Sequence, residues 1–599
     1  LLLFIMLSLK GSNILSNITG ICMLISLAAG FYLMFKNYIK AWKVNINTYI
    51  ENKDLLLALI CFVVSSFILV SIFTSASNFT GVYSQPVSFI TIKESAVASL
   101  WPNVYTTVAE LNDASLMQII GTLGGKLMFA ISLLGVLLTL TLKKDGKTDV
   151  RYAILLSIWF AGTMYASTKG IRFTLLLAPA FAIAIGAAVG ISFKYISKWA
   201  VKELNIHKII ANTVLVILMV MILIVPIKAA NATVRSEVPS MNDAWYTALT
   251  NIKTNSTEDA IINSWWDFGH WFKAVADRAV TFDGASQNRP QAHWIGHVLL
   301  TSDEDEAIGI LRMLDCGANT AFDILKNDTE STIKSVEFLY KIIPVDKEQA
   351  REILEKSSLN LHDEDIERVL QNTHCAPPEN YFITSEDMVG KAGVWAHFGS
   401  WDFEKAFVWR DLRKEEVDKA VDLMVKGFGY SEETAQKLYY ETQSITNEKD
   451  ANNWISPWPG YAATVSCPPV DNKTIQCVFR IGQRPNEQVI PFIVDIAEME
   501  AMIETNQGKV YPSSISYVQD DKFIERVYEN STIPYSITLI KKDINYKAVL
   551  MSPQLAGSMF TRLFYHNGVG LKHFDKFDHQ VDVTGQNIIT WKVDWQGKE

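Results

Sequence analysis

The chain has 599 residues, of which 49% are hydrophobic and 20% charged, with a formal net charge of −9. That length exceeds one ordinary domain, and the charge averages two unlike halves, so it says little about partners. No segment reads as a basic nucleic-acid face or a low-complexity tail, which argues against nucleic acid as a partner.

Up to about Ile227 the chain is a series of apolar runs, each near the ~20 residues a helix needs to cross a bilayer. Expected spans are Ile18–Phe35, Leu55–Phe73, Leu123–Leu142, Tyr152–Ala166, Ile171–Phe193 and Ile209–Ile227. Leu1–Leu9 reads as the tail of a seventh, with no initiator Met and no signal-peptide charge pattern. The expectation is an N-terminally truncated protein. Three loops carry the lysines: Lys36, Lys40, Lys43 and Lys53; then Lys143, Lys144, Lys147 and Arg151; then Lys194, Lys198, Lys202 and Lys208. The positive-inside rule places these three in the cytoplasm and the long loop 74–122 outside. Six spans later, everything after Ile227 also falls outside. The expected division is a multi-pass membrane domain, 1–228, and an external domain, 229–599.

Within the external part, three-to-four spacing of apolar residues predicts helices at Asn242–Thr250, Asp303–Leu314, Ser331–Ile343, Lys347–Ser357 and Lys414–Gln443. After about Ala462 the pattern shifts to short β-rich runs at Thr474–Ile481, Gln488–Ile496, Tyr535–Lys541 and Ala548–Met551. The expected fold class is therefore a multi-span α-helical membrane domain followed by an external α+β domain, helical first and sheet-rich later. Cys467 and Cys477 flank Pro468, Pro469 and Asn472, as in a disulfide-closed hairpin, although two free thiols fit equally. Cys316 and Cys375 have no evident partners. Asn231, Asn255, Asn327, Asn472 and Asn530 each begin an Asn-x-Ser/Thr triplet.

Four places carry candidate chemistry. Trp265-Trp266-Asp267-Phe268-Gly269 joins two indole donors to an acceptor-only carboxylate. It reads either as a turn anchored in the core or as a patch that clasps a short peptide. Glu110, in Thr107-Val108-Ala109-Glu110, is either a solvated loop acid or a ligand for a hard cation or a substrate amide. Arg172, in Gly170-Ile171-Arg172-Phe173 at a span's outer end, suits a phosphate or simply reaches for water. Met388, Lys391 and Trp395 share one face of an expected helix that begins near Ser385.

Taken in order, these motifs resemble the catalytic subunit of oligosaccharyltransferase in its archaeal single-subunit form. The topology, and the tail segment Gly557–His566, resemble it too. The resemblance implies a membrane glycosyltransferase of the GT-C class. Such enzymes transfer a glycan en bloc from a dolichyl (polyprenyl) phosphate or diphosphate carrier to Asn in Asn-x-Ser/Thr. It implies Mn2+ or Mg2+ as cofactor. It implies Glu110 at the acceptor amide and metal, and Arg172 at the carrier phosphate. Trp265, Trp266 and Asp267 would hold the acceptor hydroxyl, with Met388 and Lys391 packing behind them.

Two positions depart from the family pattern. Phe268 stands where members usually have Tyr, and Met388 with Lys391 combines two alternative forms of the later helix. The family's early metal-binding acids are not found in this sequence, and Asp303-Glu304-Asp305 only imitates such a pair, so the chain alone is expected to be inactive. Rival readings are another membrane glycosyltransferase using a lipid-linked sugar, such as a protein O-mannosyltransferase, or a membrane-tethered binding protein. A transporter would place polar groups near the bilayer midplane; here they cluster at one surface.

Overall fold

The computed structural model describes residues 100–599 apart from short gaps at 145–146, 149, 288, 358–360, 483–486, 507, 543–544 and 599. The chain divides into two compact units, 1–95 and 96–599, and the description concerns the second. The expected spans Leu1–Leu9, Ile18–Phe35 and Leu55–Phe73, and the first lysine loop, lie outside the described residues.

Three long helices begin this unit, covering Arg151–Lys169, Thr174–Glu203 and Lys208–Ser236. Within the expected span Leu123–Leu142 lie a helix over Lys126–Leu138 and a 3₁₀ turn over Thr139–Thr141. A helix over Leu116–Thr122 and one starting at Lys126 meet at 92°. The bend falls at Gly124 and Gly125, whose φ of +94° and +91° residues with a Cβ avoid. Among the described residues two helices are long and apolar enough to cross a bilayer, or three if the bent pair is one span. Arg151–Lys169, which covers the expected span Tyr152–Ala166, is not one of them; a charged residue closes each of its ends.

The next part is helical as expected, and side chains explain the starts. Asn242, Asp303, Ser331 and Asp346 each accept a backbone N–H at the head of helices Asp243–Asn255, Glu304–Gly317, Thr332–Ile342 and Lys347–Glu355. The expected long helix Lys414–Gln443 is two, Val417–Phe428 and Glu432–Ser444, broken at Gly429.

Asp267 and Lys391 follow two strands of a five-stranded sheet made from distant segments. In chain order its strands are β1 (Ile261–Asn263), β2 (Ala279–Val280), β3 (Asn380–Ser385), β4 (Phe574–Val581) and β5 (Asn587–Val593), arranged β4-β5-β3-β1-β2. β1 is parallel to both β2 and β3, while β5 is antiparallel to β3. Every residue of β3 is buried. Its pleat sends Tyr381 and Ile383 into a core with Trp245, Leu249 and Ile262, and Phe382 into the larger core with Trp395, Phe560 and Trp591.

A sheet-rich part follows, two sheets of five and four strands sharing one apolar core. Three expected strands there agree within about a residue at each end, and the fourth begins earlier, at Asn545. Cys467 and Cys477 form a disulfide between the edges of the two sheets. Cys316 and Cys375, which showed no evident partners in the sequence, are bonded to each other. Their separation of 59 residues hides the pair, because only the fold brings the end of helix Glu304–Gly317 to the approach to β3.

Candidate functional site

Parallel strands deliver side chains to their carboxyl ends, where open α/β sheets place their ligands. Two of the sequence candidates meet there. β1 runs straight into Ser264, Trp265 and a single 3₁₀ turn over Trp266–Phe268. Its neighbour β3 runs into a short helix, Glu386–Gly390. Ser264 ties the two exits together: its Oγ donates to the Ile383 carbonyl at 2.8 Å and lies 3.8 Å from the Met388 sulfur.

The expected single helix through Met388, Lys391 and Trp395 is corrected to two short helices, Glu386–Gly390 and Ala392–Gly399, joined at Lys391. The Trp395 indole closes the joint by donating to the Met388 carbonyl at 2.9 Å. Met388 and Trp395 are buried there, and the joint turns Lys391 back over the β1 exit. The Lys391 ammonium lies 2.9 Å from Asp267 Oδ1, 3.0 Å from Asp387 Oδ2 and 5.2 Å from the centre of the Phe268 ring. Sequence reading placed Lys391 packing behind the hydroxyl site; the structure sets it between two carboxylates.

Two acids around one ammonium carry a net charge of about −1, and the local electrostatics follow. Burial raises the Asp267 pKa, with Lys391 pulling it down and Asp387 pushing it up. Burial works against the Lys391 charge, but Asp387 and Asp267 outweigh it and its pKa is raised. Asp267 Oδ2 is buried with no hydrogen-bond partner among the described residues. Such an atom costs about 1–3 kcal/mol, which a carboxylate turning toward an incoming donor would relieve.

The two tryptophans divide the work. Trp265 is 2% exposed and packed between the Phe282 and Phe398 rings, so it anchors the turn. Trp266 is half-buried, packed against the same large core. Phe268 stacks on Trp271 with ring centres 4.4 Å apart. Gly269 is required by crowding: a Cβ there would stand 2.8 Å from the Phe282 carbonyl oxygen and 2.5 Å from Asp283 Cβ. Asp283 itself is buried and paired with Lys273, which holds its pKa down although burial alone would raise it.

Glu110 and Arg172 form a second cluster. Glu110 lies in a 3₁₀ turn over Ala109–Leu111, Arg172 in one over Ile171–Phe173, and their charged groups approach to 3.8 Å. Both are largely exposed, at 65% and 49% of the side chain, so the pair adds little to stability. Just upstream the same segment docks on the part that follows residue 229. The Trp401 indole donates to the Leu100 carbonyl at 2.8 Å, and the Trp101 ring packs on Trp294, Phe322 and Phe403. Among the described residues the two clusters share no hydrogen bond or ion pair. A hard divalent cation needs several oxygen ligands, and no group of three or more His, Cys, Asp or Glu gathers among the described residues. Glu110 alone does not make such a site.

Residues 1–230 match the family described as oligosaccharyl transferase STT3, N-terminal, and residues 257–405 match the STT3/PglB/AglB core domain. The second match spans the Asp267 turn, β3 and Lys391; together the two take in well over half of the chain. The chain belongs to the STT3/PglB/AglB family. Among similar family members is the dolichyl-phosphooligosaccharide-protein glycotransferase of Methanococcus voltae, 31% identical over 57% of this chain and 46% of that one. The protein of the same name from Methanocaldococcus jannaschii is 35% identical over 51% of this chain and 39% of that one. The chain thus spans less than half the length of these relatives. The solved archaeal oligosaccharyltransferase AglB from Archaeoglobus fulgidus, in complex with an inhibitory peptide and a dolichol-phosphate, overlays with a TM-score of 0.36. It is 12% identical over 95% of this chain and 49% of that one, too loose an overlay to set residue against residue.

Proposed function

We propose that this chain works in protein N-glycosylation as an oligosaccharyltransferase. The reaction transfers a glycan en bloc from a dolichyl (polyprenyl) phosphate or diphosphate to the side-chain nitrogen of Asn in Asn-x-Ser/Thr. The glycotransferase relatives and the family match support that activity. The observation that carries the acceptor half is Asp267, held by Lys391 with one oxygen unpartnered among the described residues, next in the chain to the half-buried Trp266. A Ser or Thr hydroxyl two residues after the acceptor Asn would donate to Asp267 while its carbon skeleton lies on Trp266. Lys391 and Met388 keep the carboxylate in place, and Trp265 fixes the turn. A site built to bond a hydroxyl rejects peptides that lack one, because its own polar atoms are then stranded.

The donor half is assigned to the other cluster. The Arg172 guanidinium would take the carrier phosphate two oxygens at a time. Glu110 would accept from the acceptor amide, whose nitrogen is a poor nucleophile while its lone pair is shared with the carbonyl. A divalent cation, Mn2+ or Mg2+, would need ligands in addition to Glu110, and no such group gathers among the described residues. The protein is proposed to be a multi-pass membrane protein with residues 229–599 on the external face.

The test is transfer from native lipid-linked glycan, with the full-length protein in membranes, to labelled peptides containing Asn-x-Thr, Asn-x-Val or Gln-x-Thr. Transfer confined to Asn-x-Thr, lost on chelation and restored by manganese or magnesium, is expected. Transfer to a hydroxyl, or transfer indifferent to Thr, would instead support a different glycosyltransferase using a lipid-linked sugar.

A further inference from the structure

Behind the Asp267 turn lies a side chain that sequence reading passed over. Asp315, on helix Glu304–Gly317, accepts from Asn263 Nδ2 at 2.7 Å through one oxygen and from Asn380 Nδ2 at 2.5 Å through the other. Asn263 is the last residue of β1 and Asn380 the first of β3. Asn263 reaches further still, since its own Oδ1 accepts from Thr281, just past β2. One carboxylate therefore links all three parallel strands through amide and hydroxyl side chains. Cys316, its neighbour in the chain, is bonded to Cys375 on the approach to β3.

The arrangement answers a weakness in the sheet. β1 has three residues and β2 has two, so their ladders supply few backbone bonds. A slip of one residue would move the exit by about 3.3 Å and turn its side chains to the opposite face. Asp267 leaves from β1 and Lys391 from the β3 exit, so their 2.9 Å contact requires the two strands to stay in register. We propose that Asp315 is a positioning residue for acceptor recognition: it fixes β1 against β3 and thereby sets Asp267 against Lys391. The inference rests on Asp267 being the hydroxyl acceptor.

The experiment measures binding of fluorescent Asn-x-Thr and Asn-x-Val peptides to the full-length protein carrying Asp315→Ala or Asp315→Asn. Asp315→Ala should cut the Thr-over-Val preference about tenfold, as a displacement near 1 Å can, while leaving Asn-x-Val binding unchanged. Asp315→Asn should keep the preference, because its amide can donate to Asn380 Oδ1, a buried atom with no partner among the described residues, once the Asn380 amide turns over. A residue that only stabilised the fold would weaken both peptides alike. If Asp315→Ala does not fold, Asn263→Ala decides by the same ratio, since it cuts the link to β1 and leaves the link to β3. A wild-type protein with no Thr preference would sink the hydroxyl-acceptor reading itself. A wild-type preference that survives in Asp315→Ala or Asn263→Ala would overturn this inference alone.

Discussion

Lys391 Nζ lies 2.9 Å from Asp267 Oδ1, although 123 residues separate the two in the chain. The contact joins the carboxyl ends of two neighbouring parallel strands, and it makes Lys391 part of the Asp267 environment rather than a packing residue behind it. Replacing Lys391 by Met keeps the length and removes the charge, leaving Asp267 and Asp387 to repel one another. Acceptor-peptide affinity should fall about tenfold, the lower end for a partly exposed charge pair losing one member. Titration of the labelled peptide against wild type and Lys391→Met measures it.

Gly269 tests the turn without touching its polar atoms. Gly269→Ala forces a Cβ against the backbone of Phe282 and Asp283, an overpacking cost of about 1–3 kcal/mol. The variant should melt at lower temperature and lose acceptor transfer, with donor-lipid binding unchanged. Thermal unfolding and a donor-binding assay on the same preparation check both parts.

Asp315 gives a pH signature. Burial pushes it up to about 7, with the two asparagine bonds opposing. A carboxyl whose folded pKa is raised stabilises most below its unfolded value, and that stabilisation is lost as pH rises through the folded value. The melting temperature should therefore decline between about pH 4 and about pH 7 by a few degrees more in wild type than in Asp315→Asn. Equal slopes would show that Asp315 does not titrate there.

The two disulfides close chain segments of very different length, 59 and 10 residues apart in sequence. In the chain-entropy account, losing the Cys316–Cys375 bond should cost about 1.5 kcal/mol more than losing Cys467–Cys477. Chemical denaturation of Cys316→Ser and Cys477→Ser variants compares them directly.

Much of this was legible in the sequence, for identifiable reasons. The helix starts at Asn242, Asp303, Ser331 and Asp346 carry capping side chains that any local reading finds. β3 was missed because a short, wholly buried strand shows no alternation, and β1 and β2 are too short for any period to register. Without β1 and β3 there was no way to see that Asp267 and Lys391 leave the same edge of one sheet. The bend at Gly124–Gly125 was masked by apolar residues on both sides of it. Cys316–Cys375 and the Asp315 link fall with the same long-range order and have no local signal.

Arg172 and Glu110 offer a control on the division into two clusters. Arg172→Ala should weaken donor-lipid binding and transfer while leaving the Thr-over-Val preference of bound peptides intact. A lost preference would mean that the clusters act as one.

A double-mutant cycle decides whether Asp267 reads the acceptor hydroxyl. Asn-x-Thr and Asn-x-Val peptides are titrated against the full-length wild-type protein and against Asp267→Ala. The hydroxyl should improve wild-type affinity about tenfold or more and contribute nothing in Asp267→Ala. An undiminished Thr preference in a folded Asp267→Ala protein would contradict that reading.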